Sequence, residues 1–147
     1  MDVKQLADLR RIAKAQFDRD ALELSAALAE EAELRSQLDS LTESEARRAA
    51  ALQGGLEIAF AQTGEALWQN WADKRRKDLL SRLAHQRAVT AEIKARATRT
   101  FGRNAALSDL EDTARRQLAE EEDRKDSQAL VDLELGRRWM QPPGRGH

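Results

Sequence analysis

The first proline in this chain of 147 residues is Pro142. A proline inside a helix removes a backbone hydrogen bond and clashes with the preceding turn, at a cost of about 3 kcal/mol. Residues 1 to 141 are therefore free of the strongest helix breaker, and their composition matches that freedom. Ala, Glu, Lys, Leu and Arg supply 85 of the 147 residues, more than the half that marks long helices and coiled coils. Three Val, three Ile, six Thr and no Tyr leave little material for a sheet. The fold class read from the sequence is all-α.

Asp2 followed by Gln5 fits a helix N-cap with a reciprocal partner at the third helical position. Leu6, Leu9, Ala13, Phe17, Leu24 and Leu28 then recur at helical spacing, and the pattern continues through Leu34, Leu38, Leu41 and Leu52. The apolar stripe is narrow, as in a seam between two helices. Glu45 and Arg48 interrupt it where the heptad calls for apolar side chains. Gly54-Gly55 falls inside a spacing near four that runs from Leu52 to Trp71, which favours a continuing helix with a weak point. The reversal is expected over residues 64–71, with Gly64 as a C-terminal cap and Asn70 and Asp73 opening the next helix.

The second arm runs through Leu79, Leu80, Leu83, Ile93, Ala97 and Phe101 to Gly102-Arg103-Asn104. Two readings stand there: a break over residues 102–107 with a restart at the Ser108–Glu111 capping box, or a continuous helix with one tolerated glycine. The predicted architecture is a long antiparallel two-helix coiled-coil hairpin over residues 1–141. Arm one covers about 2–64, arm two about 71–136, and 142–147 form a disordered tail. Arms of roughly 60 residues would be roughly 90 Å long and would need each other to bury their stripes. Residue i would face about residue 140 − i, setting the acidic stretch 31–45 against Arg96, Arg99 and Arg103. Such exposed pairs contribute about 0–1 kcal/mol each and serve to select register.

Charge and inventory bound the function. The net charge is −1, without the basic footprint of a dedicated nucleic-acid binder. The halves differ, with residues 1–73 at −6 and residues 74–147 at +5. With no Cys there is no disulfide, thiolate ligand or cysteine nucleophile, and His85 and His147 are the only imidazoles. Glu120-Glu121-Glu122-Asp123 reads as a solvated helix face. No phosphate-cradling loop is present, since Gly54-Gly55 is not followed by a Lys-Ser or Lys-Thr pair. These observations predict a protein that is not an enzyme and needs no cofactor. No apolar stretch approaches a membrane span and Met1-Asp2-Val3-Lys4-Gln5 lacks signal-peptide character, so a cytoplasmic protein is expected.

The most conspicuous local cluster is Lys74-Arg75-Arg76-Lys77 flanked by Trp68 and Trp71; residues 74–104 hold ten bases and two acids. It reads in three ways: a site for an acidic protein partner with tryptophan anchors, a nucleic-acid contact, or a hairpin tip closed by the tryptophans with bases that complement the acidic arm. Trp139-Met140 would either pack on Val3 and Leu6 or enter a partner.

Leu6-Ala7-Asp8-Leu9-Arg10-Arg11-Ile12-Ala13-Lys14, the Ala-Glu-rich run from Asp20 to Leu41, and the charged segment from Arg115 to Asp126 resemble the FliJ-like family of flagellar and type III export stalk proteins. The resemblance implies a monomeric coiled-coil hairpin on the cytoplasmic side of the membrane-bound export apparatus, engaging the export ATPase ring and an export gate protein. Hairpin geometry then makes Leu6, Leu9, Arg137, Arg138 and Trp139 the ring-facing candidates, and Trp68, Trp71, Arg75, Arg76 and Leu79 the candidates for the other partner. The competing expectation is a generic coiled-coil adaptor or dimerising scaffold with no export role, in which the seam joins two chains.

Overall fold

A computed structural model describes residues 2–53 and 58–140, without the side chains of 58–63. The protein is all-α, with α1 spanning Val3–Gln53 and α2 spanning Ile58–Met140, two long helices that pack against each other. No strand occurs among the described residues. α1 starts where its cap requires: Gln5 N donates to Asp2 Oδ1 at 2.8 Å and Asp2 N donates to Gln5 Oε1 at 3.2 Å, a reciprocal arrangement that satisfies two orphan donors.

Residues 64–71, expected to hold the reversal, are helical, and the interval between the helices is 54–57. Gly64 behaves as an ordinary helical residue with nothing within 4 Å of the position a Cβ would take. Asp73 lies 3.9 Å from Arg76, one turn further along α2, and caps nothing. One interior glycine costs about 1 kcal/mol, an amount that neighbouring packing offsets. Residues 102–107 are likewise helical throughout. The restart signal at Ser108–Glu111 is silent because Glu111 turns its carboxylate to arginines. The reading of Gly54-Gly55 and the tail at 142–147 lie outside the described residues.

The chain divides into two compact units, Ala15–Phe101 and Met1–Lys14 with Gly102–His147. In the first, the α1 residues turned inward include Phe17, Asp20, Leu24, Ala27, Glu31, Leu34, Leu38 and Leu41, and those of α2 include Ala72, Arg76, Leu79, Leu83, Gln86, Thr90, Ile93, Ala97 and Thr100. Both sets step by threes and fours, the spacing of a heptad seam. The pairing is antiparallel. Arg75 Nη2 donates to Gln37 Oε1 at 3.1 Å, Gln86 Nε2 donates to the Ala27 carbonyl at 3.3 Å, and the Phe17 and Phe101 rings lie 5.5 Å apart. Residue i therefore faces about 115 − i, not 140 − i, because the helices exchange about 12 residues earlier than expected. The acidic stretch 31–45 meets the basic run at 74–77, as Arg76 with Glu45 shows, and Arg96 instead bridges Asp20 and Glu23.

The apolar core of this unit is Leu34, Leu79 and Leu83, with Leu38 packed against them. Elsewhere the inward positions are small or polar. Asp20 is fully buried, with Oδ1 3.3 Å from Arg96 Nε and 3.7 Å from Arg19 Nε. Neither of its carboxylate oxygens completes a hydrogen bond of good geometry.

In the second unit, Val3, Leu6, Arg10 and Ala13 of α1 turn inward, as do Asn104, Leu107, Glu111 and Ala114 of α2. Buried Glu111 accepts a hydrogen bond from Arg10 Nη1 at 3.0 Å and pairs with Arg115 Nη2 at 2.7 Å. A fully desolvated carboxylate is tolerated because two guanidinium groups share it. From Arg115 to Met140 every residue of α2 is exposed.

Candidate functional site

An open groove of about 580 Å³ lies between the two helices of the Ala15–Phe101 unit. From α1 it is lined by Glu33, Gln37, Leu41, Arg47, Arg48 and the serines Ser36, Ser40 and Ser44, and from α2 by Trp68, Trp71, Arg75 and Leu79. The i, i+4 spacing of the serines places three hydroxyls on one face of α1. Small side chains there leave the space that the indoles overlook.

The tryptophans do not meet across a turn. They sit three residues apart on α2 with centroids 6.1 Å apart and planes inclined at 44°. Arg48 reaches over from α1, its guanidinium 4.4 Å above the Trp68 ring, while its Nε donates to Glu65 at 3.0 Å. Trp68 is thus held between a cation and its neighbouring indole, an arrangement stabilised by the ring quadrupole. Trp71 remains 54% exposed. It presents a large, rigid, amphipathic surface of the type that anchors protein interfaces.

The basic run is partly spent on the fold. Arg75 bonds Gln37 and lies 3.6 Å from Asp78, and Arg76 bonds Glu45 and lies 3.9 Å from Asp73. Leu79 is 1% exposed and belongs to the core. Of the five residues assigned to this end, the structure brings Trp68, Trp71, Arg75 and Leu79 to one groove, with Leu79 buried at its base, and gives Arg76 to an interhelical pair. Arg47, Arg48 and Gln37 are additions that the sequence reading missed as site residues. Their place follows from the register, and a reversal set too late hides it.

At the other candidate site Leu6 is buried beneath the α1–α2 packing and Leu9 is 39% exposed. Arg137 and Arg138 are exposed, and Trp139 and Met140 are each 87% exposed. Trp139 does not pack on Val3 or Leu6. The N-terminal residues of α1 instead engage α2 near Glu111, because α2, at 83 residues, outlasts α1, at 51. His85 is exposed, and no group of three or more His, Asp or Glu side chains could hold a metal ion among the described residues. No helix among them is long and apolar enough to cross a membrane. Comparison with family models, with curated proteins and with solved structures finds no match to this chain.

Proposed function

We propose that this chain is a non-enzymatic coiled-coil component of the flagellar or type III protein export apparatus, resembling the stalk that engages the export ATPase ring and the export gate. The observation that supports this most is the groove at Trp68, Trp71, Arg47 and Arg75, carried on an antiparallel heptad-seamed hairpin. Two packed helices form a stiff support, and a stiff support gripped at one surface transmits a change of state to a partner at another. In this reading the groove receives the gate-side partner, and the exposed α2 residues Arg137, Arg138 and Trp139 face the ring.

A generic coiled-coil adaptor is the second reading. It is favoured by the exposure of α2 beyond Ala114, which offers a helix face to any partner. The seam that such a scaffold would use to join two chains is occupied by the internal α1–α2 packing.

Binding of the purified chain to a flagellar-type export ATPase hexamer and to the cytoplasmic domain of the gate protein separates the two. The stalk reading expects both complexes, with Trp71→Ala combined with Arg47→Ala weakening the gate complex by about tenfold or more and leaving the ATPase complex intact. Retention of neither protein ends the export reading and promotes the adaptor.

A further inference from the structure

We infer that the groove between α1 and α2 seats an acidic amphipathic helix of a protein partner, packed as a third helix with an apolar side chain against Trp71 and carboxylates towards Arg47 and Arg75. This rests on the reading of the groove as a partner's seat, and it holds whether or not that partner is an export gate. The secondary structure of the occupant follows from the walls. The groove runs along α1 from Glu33 to Arg47, roughly 21 Å at 1.5 Å per residue, which accommodates about four turns of helix. Both walls are helices whose backbone groups bond within the helix. An extended peptide laid there would find no strand edge to pair with, whereas a helix arrives with its own backbone satisfied. Ser36, Ser40 and Ser44 keep the α1 wall low enough for a third backbone to approach, and the floor beneath is apolar, with Leu41 6% and Leu79 1% exposed.

The charge of the occupant follows from the side chains that the hairpin leaves unspent. The acids that line or border the groove are engaged by its own walls. Glu33 accepts from Gln37 Nε2 at 3.1 Å, Glu65 accepts from Arg48 Nε at 3.0 Å, and Asp78 lies 3.6 Å from Arg75 and 3.2 Å from Arg82. The cations are less fully matched. Arg47 is exposed, its guanidinium reaches the Ser44 hydroxyl at 3.5 Å, and no carboxylate among the described residues pairs with it. Arg75 gives its hydrogen bond to a neutral amide, that of Gln37, and Lys74 beside it in sequence is exposed with no ion pair among the described residues. In the 115 − i register Arg47 lies level with Trp68. The two rim guanidinium groups are therefore set about seven residues apart along the hairpin, roughly 10 Å, with the half-exposed Trp71 between their levels. On a third helix that spacing is about two turns, with an acid near each end and an apolar residue in the turn between. Nucleic acid fits less well, because Glu33 and Asp78 would face its phosphates and two rim cations are not a continuous basic track.

Selection of a displayed library of helical peptides, each of about 18 residues and randomised along one face, on the immobilised full-length chain tests this. Peptides with Glu or Asp about two turns apart around a Leu, Phe or Met are expected to be enriched, and the best of them, synthesised and labelled, should bind the chain in fluorescence anisotropy. Trp71→Ala and Arg47→Glu should each weaken that peptide about tenfold or more. Of the two peptides in which one acid is replaced by Lys, one should bind the R47E chain better than the natural chain, a recovery that loss of fold would not give. Ser40→Trp, at an exposed position, fills the groove and should exclude the peptide while circular dichroism shows the helices intact. Enrichment of peptides without acids, enrichment that the W71A chain supports equally, or no enrichment at all overturns the inference. So does a single-stranded oligonucleotide that binds in the peptide's place with the same dependence on Trp71 and Arg47. Neither the export ATPase nor the gate protein takes part, so these outcomes leave the export reading to its own test. A chain that binds acidic helices yet retains neither export protein keeps this inference and loses only the export assignment.

Discussion

Two layers of the Ala15–Phe101 unit occupy equivalent seam positions and are filled by opposite chemistry. Asp20 and Leu34 lie two heptads apart on the same line of α1, and they are 0% and 4% exposed. Around Leu34 stand Leu38, Leu79 and Leu83. Around Asp20 stand the guanidinium groups of Arg96 and Arg19, with Glu23 sharing Arg96. Burial is imposed by the geometry of two packed helices, which hides whatever side chain the heptad delivers. What differs is the free energy. Each leucine gains about 1.5–3 kcal/mol by leaving water, whereas a carboxylate loses hydration that its pairing recovers only in part. The leucine layer supplies stability, and the aspartate layer contributes mainly to register.

Emptying the leucine layer should therefore have the largest effect. Leu79→Ala removes a side chain that is 1% exposed and is expected to destabilise the hairpin by about 3 kcal/mol, measured as a fall in the urea midpoint at constant slope. The charged layer should answer with the other sign. Asp20→Leu replaces an imperfectly paired buried charge with a hydrocarbon, and is expected to be neutral or to stabilise by about 1–2 kcal/mol. Arg96→Ala, which strips Asp20 of its nearest cation, should cost about 2 kcal/mol, below the full penalty for an orphaned buried charge because Arg96 is 44% exposed. If Asp20→Leu destabilised as much as Leu79→Ala, the division of roles between the layers would be wrong.

How much of this was legible in the sequence follows the same division. The heptad line was, because leucines at threes and fours have one explanation, and so were the Asp2–Gln5 cap and the interruption at Glu45 and Arg48. The register was not. It depends on where the chain reverses, and the local signals for reversal at Gly64, Asn70 and Asp73 are each worth about 1 kcal/mol. Continued packing of Trp68 and Ala72 along α2 outweighs them. A late reversal then hid the Arg48–Trp68 stack and assigned Arg96 to acids near residue 44 instead of Asp20. The aromatic-basic cluster was visible as a cluster, yet the α1 half of its groove was not. Which charges were buried was equally hidden, since Asp20 and Glu111 look like any other acids of a charged helix.

The smallest effect provides the sharpest control, because one arginine serves both a buried and an exposed carboxylate. Arg96 faces Asp20, which is fully buried, and Glu23, whose side chain is 46% exposed. Exposed ion pairs contribute about 0–1 kcal/mol, since water screens the attraction and two long side chains lose freedom to form it. Glu23→Gln is accordingly expected to cost no more than about 0.5 kcal/mol, and that cost should vanish as salt is raised towards 1 M, where the screening length falls to about 3 Å. The destabilisation by Arg96→Ala should largely survive the same salt, because it reports the desolvated partner Asp20. Chemical unfolding of the two variants in low and high salt gives four midpoints. Equal salt sensitivity in both would mean that Asp20 is reached by solvent, and the contrast between its layer and the leucine layer would collapse into a difference of packing alone.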